Sequence, residues 1–291
     1  MISFLIPTYN YDARPLVDQL KQLAVQAGID YEILVNDDGS QQKTTENQKI
    51  NDFEKCFFQK NDKNLGRAGN INRLVQRAKF RYCILLDCDV KPLRNDFLAA
   101  YLKLCQPNQI CFGGINYDNQ KPENGILRWK YGIYQEARNI KERQKRPYRY
   151  LLTSNLLFDK YLFKHKLFND QLKSYGYEDL LLVQYLKQKI IKVNHIDNPV
   201  THINLETSEI YLQKTQTALV NLAQLVKQNK VDVSLTGVSY WGNKLHKLKI
   251  SKLYKLVFKT FKAILEKNSL GKKPNLILFK MYKLGFYLNQ F

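Results

Sequence analysis

Residues 82–90 read YCILLDCDV: five mostly apolar residues, then Asp87-Cys88-Asp89. A short apolar run that stops abruptly at polar residues has the pattern of a buried strand. Two carboxylates one residue apart at its end repel each other unless a cation joins them, and turn preference alone does not explain the pair. Working towards the N-terminus, the same pattern recurs at residues 2–6 (ISFLI, ended by Pro7), 31–35 (YEILV, cut by Asn36-Asp37-Asp38-Gly39-Ser40) and 56–58. A fifth run lies at 110–115 (ICFGGI). Between the runs, apolar residues fall at helical spacing, as at Leu16, Leu20, Leu23, Ala24 and Ala27. Helices are also expected over 68–79 and 96–105, with a polar helical stretch ending near residue 54. Alternating strands and helices over residues 1–115 imply an α/β fold, a mostly parallel sheet with helices on both faces. Ligands of such sheets sit beyond the carboxyl ends of the strands. The polar groups delivered there are Thr8 to Asn10, Asp37 to Ser40 and Asp87 to Asp89. Ordinary turn chemistry accounts for Asp37 to Ser40 equally well.

Further along, Arg138 to Arg149 (RNIKERQKRPYR) reads as an exposed basic segment near the site, and 151–158 as a strand. A helix over 178–189 is led by Glu178 and Asp179. A strand at 190–196, a loop containing His202 and helices at 207–228 complete the main body. From Lys244 to Phe291 there are twelve lysines and one acidic residue, Glu266, interleaved with apolar and aromatic residues. That is the pattern of a basic amphipathic helix, and Tyr254, Phe258, Phe261, Phe279, Tyr282, Phe286 and Tyr287 are expected on a face turned to an anionic membrane. The expected organisation is one domain over 1–230, with a nucleotide-binding half (1–115) and an acceptor half (116–230), followed by a basic helical C-terminal extension over 231–291.

Overall charge is strongly positive: 46 Lys+Arg against 26 Asp+Glu give +20 in 291 residues. Such a chain is drawn to polyanions, whether nucleic acid, anionic lipid or phosphorylated substrates. The start, MISFLIPTYN, lacks the basic n-region of a signal peptide, and no run reaches the roughly 18 apolar residues of a spanning helix. Five cysteines with no CxxC pair read as reduced thiols. The expected location is cytoplasmic, peripheral on the inner face of the cell membrane.

Five motifs in order, IPTYN (6–10), VNDDGS (35–40), NLGRAGNIN (64–72), LLDCDV (85–90) and GYED (176–179), together resemble the family 2 glycosyltransferases of the GT-A fold. The resemblance runs over residues 1–205. It implies an inverting transfer from a nucleotide-sugar, a UDP-sugar above all, to a glycan or lipid-linked saccharide, assisted by Mn²⁺ or Mg²⁺. Pro7, Thr8 and Asn10 would line the nucleotide pocket, and Asp38 would bind the uracil imide. Arg67 and Asn70 would lie near ribose or diphosphate, Asp87 and Cys88 beside ribose and sugar. Asp89 would hold the metal, joined by His202. Glu178 and Asp179 would face the acceptor, with Asp179 as general base.

Elementary chemistry agrees with the base assignment. An inverting transfer needs a carboxylate opposite the leaving group to take the acceptor hydroxyl's proton. A helix N-terminus keeps that carboxylate ionised, although acidic residues are common in any first turn. Two other readings compete. A non-enzymatic nucleic-acid-binding protein would suit the charge and the 19 tyrosines, yet no nucleic-acid-binding signature is present and five acids gather at the sheet's working edge. A sugar nucleotidyltransferase would share the fold and the carboxylates, but its Gly-rich N-terminal phosphate loop is replaced by IPTYN.

Overall fold

The computed structural model describes residues 1–163, 166–168 and 176–291. In chain order the first elements are β1 (Ile2–Thr8), α1 (Arg14–Gln26), β2 (Tyr31–Asp37), α2 (Thr44–Gln48), β3 (Cys56–Lys60), α3 (Gly66–Arg77), β4 (Tyr82–Leu86) and β5 (Val90–Pro92). They are followed by α4 (Phe97–Leu102), β6 (Ile110–Phe112), β7 (Ile115–Tyr117), α5 (Ile126–Tyr131), α6 (Ile140–Lys145), β8 (Asn155–Asp159) and α7 (Glu178–Gln188). The chain ends with β9 (Asn194–His195), β10 (Val200–His202), α8 (Ser208–Lys227), α9 (Gly237–Lys247), α10 (Ser251–Leu270) and α11 (Leu276–Leu288).

The chain forms two compact units. The first comprises residues 1–118, 137–173 and 185–204. Its seven-stranded sheet runs β3-β2-β1-β4-β8-β6-β9. Strands β1 to β4 are mutually parallel, and β8 alone is reversed, antiparallel to both β4 and β6. Every residue of β1 and β2 is buried, as expected when both faces of a sheet are covered and strands read as unbroken apolar runs. A second sheet, β5-β10-β7, sets His202 opposite Val90 and Tyr117. The run at 110–115, expected as one strand, is two. It breaks at Gly113-Gly114, where Gly114 adopts φ +108°, so β6 stays in the large sheet and β7 enters the small one. The expected strand at 190–196 is reduced to Asn194–His195.

The second unit comprises residues 119–136, 174–184 and 205–291. This division differs from a boundary at 230, because α8 packs with the C-terminal helices. Leu127 of α5, Leu212 of α8, Phe258 and Leu265 of α10, and Phe279 and Tyr282 of α11 make one buried cluster. The Phe258 ring lies so close to the α11 backbone that a Cβ at Gly285 would clash with it. Tyr254 and Phe286 pack against the cluster, and Tyr287 is buried in a second cluster with Leu219, Leu222 and Ala223. The interleaved aromatics of the tail are therefore mainly core, and Phe261 is the exception, half exposed. Helical periodicity marked an apolar face but could not say what covers it.

Candidate functional site

The carboxyl ends of β1, β2 and β4 bring the predicted donor-site residues of the first unit together. Thr8 ends β1, and its Oγ donates to the Tyr11 carbonyl. Asn10 takes a left-handed φ of +51° and bridges to the end of β2: its backbone N–H donates to Ser40 Oγ at 2.6 Å, and its Oδ1 accepts from the Gln41 and Gln42 amides. Pro7 lies within β1, paired with Asn36. At the end of β2 the two aspartates differ in use. Asp37 accepts from the Ser40 amide and hydroxyl and from Thr44, tying its own turn closed. Asp38 Oδ1 accepts from the Leu65 amide at 2.8 Å and from Asn61 at 3.0 Å, which fixes the carboxylate at the strand end. The following Gly39 is at φ +77°, and a Cβ there would crowd the Asn64 amide at 3.1 Å, so the turn requires glycine.

Beside this turn, Arg67 opens α3 and donates to Asp87 Oδ1 at 2.7 Å. Asn70, expected near ribose or diphosphate, is buried instead. Its amide donates to the Asn36 carbonyl and accepts from the Asn36 side chain at 2.6 Å, locking α3 to β2. Its position about one turn into α3, within NLGRAGNIN, resembles a ligand position in sequence; only packing reveals the clamp. Burial pushes the Cys88 thiol well above the ordinary range, helped by the Asp89 and Asp87 charges, so it acts as a neutral apolar spacer.

Sheet register brings His202 to Asp89. Val90 pairs with His202, and the Ile203 amide donates to the Asp89 carbonyl at 2.9 Å. The Nε2 of His202 lies 2.9 Å from Asp89 Oδ2. A carboxylate oxygen only accepts, so Nε2 carries the proton in this contact. The other ring nitrogen, Nδ1, is buried without a partner, and the ring stacks edge-on against Tyr117. These features fit a divalent ion. Two ligands about 2.1 Å from an octahedral ion, at right angles, stand about 3.0 Å apart, close to the observed N···O distance. Transfer of the ring proton from Nε2 to the unpartnered Nδ1 would free Nε2 as a ligand. Among the described residues no group of three or more metal-ligating side chains forms.

A cleft of about 670 Å³, ordinary for a small-molecule site, opens beside Asn10, Tyr11, Cys88, Val90, Lys91 and Asn204. Asp38, Asp87 and Arg67 do not line it. Tyr11 and Asn204 carried no sequence signal, yet the Asn204 amide donates to the Tyr11 hydroxyl at 2.6 Å. Burial first, and then the negative charge of Asp89 and Asp12, raises that hydroxyl's pKa against the hydrogen bond from Asn204, so it remains protonated and can donate.

The histidine that competes with His202 for a role, His195, is structural. It is buried, with Nε2 at 2.9 Å from the Pro147 carbonyl, and desolvation lowers its pKa to about 4, with Arg143 adding to the effect. The segment from Arg138 to Arg149, read as exposed, holds a buried residue as well. Arg143 of α6 donates to the carbonyls of Phe112, Gly113 and Ile196, closing the strand ends where β6 and β7 diverge. Four backbone carbonyls, rather than a carboxylate, satisfy its guanidinium.

Glu178 and Asp179 belong to the second unit and occupy the first turn of α7. Glu178 is buried and Asp179 half-buried. The preceding turn is built tightly: Gly176 at φ +103° lies against Ala218, and Tyr177 takes a left-handed φ of +68°. A non-glycine residue held in that region is strained, and such strain gathers at functional turns.

A mostly parallel sheet whose strand ends present Asp38, an Arg67–Asp87 pair and an Asp89–His202 pair has the fold of the GT-A class. The model of glycosyl transferase family 2 matches residues 3–169, more than half of the chain, and the chain belongs to that family. An uncharacterized glycosyltransferase of Methanocaldococcus jannaschii is 22% identical over 171 residues, covering 57% of this chain and 53% of that protein; the chain thus spans about half of that relative's length. Among solved structures, a mannosyltransferase of Pyrobaculum calidifontis in complex with GDP-Man and Mn²⁺ superposes with TM-score 0.57 at 13% identity, covering 99% of this chain and 85% of that one. TarS 1–349 of S. aureus in complex with UDP superposes with TM-score 0.50 at 14% identity, covering 99% and 89%. At these identities the structural likeness is one of fold.

Proposed function

We propose that this protein transfers a sugar, with inversion, from a UDP-sugar to a glycan or lipid-linked saccharide at the inner face of a membrane, and that Asp89 and His202 hold the divalent ion of the donor. The observation that carries the reading is the 2.9 Å Asp89–His202 contact with its unpartnered Nδ1, set beside the Arg67–Asp87 pair at the carboxyl edge of the sheet. Two fold neighbours bound to a nucleotide or nucleotide-sugar, one of them with Mn²⁺, support the same chemistry.

Each residue then has one task. Asp38, fixed through Oδ1, presents its carboxylate to the imide of the base. Pro7, Thr8 and Asn10 border the base and ribose, with Cys88 as apolar spacer. Arg67 and Asp87 orient each other: the guanidinium suits a diphosphate oxygen and the carboxylate a ribose or sugar hydroxyl. The bound ion supplies charge neutralisation for the departing nucleoside diphosphate. Asp179 takes the acceptor hydroxyl's proton, kept ionised by the α7 N-terminus, while Glu178 holds the acceptor.

The test is calorimetric titration of UDP, with and without Mn²⁺, into wild type and Asp89→Ala. Binding that depends on Mn²⁺ and disappears in the variant is the expected result. Absence of UDP binding under both conditions would overturn the UDP assignment, and binding of GDP instead would transfer the site to a guanine donor.

A further inference from the structure

Helix α10 carries two apolar faces, and only one is covered. Phe258 and Leu265, separated by seven residues, enter the core cluster of the second unit, with Tyr254 beside them. About 100° around the helix from them, Ile250 just before the helix and Leu253, Leu256, Val257, Phe261 and Ile264 within it are each 43–64% exposed. Their spacing of three, four, seven and eight residues makes one continuous stripe along the helix. Scattered exposed leucines are ordinary on any surface, but a contiguous stripe over three turns marks an interaction site.

The charge around the stripe selects the occupant. Lys252, Lys259, Lys262 and Lys267 are exposed on the same helix. The one acid of residues 244–291, Glu266, is engaged: Tyr282 donates to its Oε1 at 2.8 Å, and Lys262 stands 3.7 Å away. An apolar strip bordered by uncompensated ammonium groups matches a surface that is anionic outside and apolar just beneath, which is an anionic lipid bilayer. Among the described residues no helix is long and apolar enough to cross a membrane, which suits a helix lying in the interface.

We infer that α10 docks this protein on anionic lipid by its Leu253–Leu256–Val257–Phe261–Ile264 face, in the plane of the bilayer. The inference does not rest on the donor assignment, because binding to vesicles needs no nucleotide. It differs from a membrane face built of the tail's aromatics, since Phe258, Phe279 and Tyr282 are core.

The experiment is vesicle co-sedimentation of the full chain with phosphatidylcholine alone or mixed with phosphatidylglycerol. The variants are Leu253→Ser/Phe261→Ser and Lys252→Gln/Lys259→Gln, each checked for an unchanged melting temperature, as exposed positions allow. Wild type should bind only the mixed vesicles, and each double variant should bind them more weakly by about tenfold or more. A Phe261→Trp variant should show blue-shifted emission on the mixed vesicles. Equal binding of wild type to both vesicle types, or undiminished binding of the serine variant, would overturn the proposal. So would a concentration-dependent dimer that the serine variant abolishes without any vesicle binding, because the face would then belong to a second copy of the chain.

Discussion

The two units put charge and apolar surface to opposite uses. In the sheet unit, carboxylates converge at strand ends and nearly every one is held by a named donor: Asp37 by its own turn, Asp38 by Leu65 and Asn61, Asp87 by Arg67. Its strands β1 and β2 are buried throughout. In the helical unit, lysines remain in solvent, the one tail acid is neutralised, and an apolar stripe is left uncovered. Organised acids beside an unpartnered imidazole nitrogen suit cation and nucleotide chemistry; dispersed lysines around an apolar strip suit attachment. The comparison teaches that the high net charge is unevenly placed: the sheet unit gathers carboxylates at its strand ends, and the helical unit leaves lysines in solvent.

The largest expected effects come from the carboxylates, Asp89 of the sheet unit and Asp179 of the helical unit. Asp89→Ala should lower transfer by about 10²–10³ and remove the Mn²⁺ dependence of nucleotide binding. Asp179→Asn should lower kcat by about 10²–10⁴ while leaving UDP binding at the wild-type level by calorimetry. Normal turnover in that variant would remove Asp179 from the base role and leave Glu178 and Asp179 as helix-capping acids.

Stability changes come next. Phe279→Ala in the helical core should cost about 3–5 kcal/mol in denaturant unfolding, the range for deleting a buried aromatic ring. His195 contributes a pH dependence to the sheet unit. Its folded pKa of about 4 lies below the ordinary value of 6.5, so the unfolded chain binds more protons between those two values. Stability from this group is therefore complete above pH 6.5 and declines as pH falls towards 4, by about 3 kcal/mol in all. Replacement His195→Gln should flatten that part of the stability profile; an unchanged slope would show that the imidazole is not desolvated in the folded state.

How far the sequence reveals this molecule follows from the range of each interaction. Strands β1 to β4 and the three strand-end polar clusters are legible because apolar runs and turns are local signals; β5 gives no such signal. The break at Gly113-Gly114 was not, since strand continuity and sheet switching share one apolar pattern until a partner strand is known. The motif order points to Asp87, Asp89 and His202 as site candidates, and sheet register explains why Asp89 and His202, 113 residues apart in sequence, meet. Tyr11 and Asn204 were missed because their pairing depends wholly on tertiary approach. Arg143 escapes the sequence reading because a basic run suggests solvent, whereas the strand-end carbonyls of Phe112, Gly113 and Ile196 can also receive a guanidinium. Asn70 was read as a ligand for the complementary reason: a polar residue in a glycine-rich segment serves a ligand or the backbone equally well until its partners are seen.

The smallest expected effect tests the helical unit most closely. Phe258 and Phe261 lie three residues apart on α10; one is 4% exposed and the other 50%. Sequence periodicity alone treats them alike, as two members of one amphipathic face. In the fold, Phe258→Ala removes a ring packed against the α11 backbone and should cost about 3–5 kcal/mol. Phe261→Ala, away from any core contact, should change unfolding stability by no more than about 0.5 kcal/mol. Should Phe261→Ala prove as costly as Phe258→Ala, its ring must be covered in the folded protein in solution. The exposed stripe would then be an interface between elements of the protein, and the contrast between an occupied and an open face of α10 would fail.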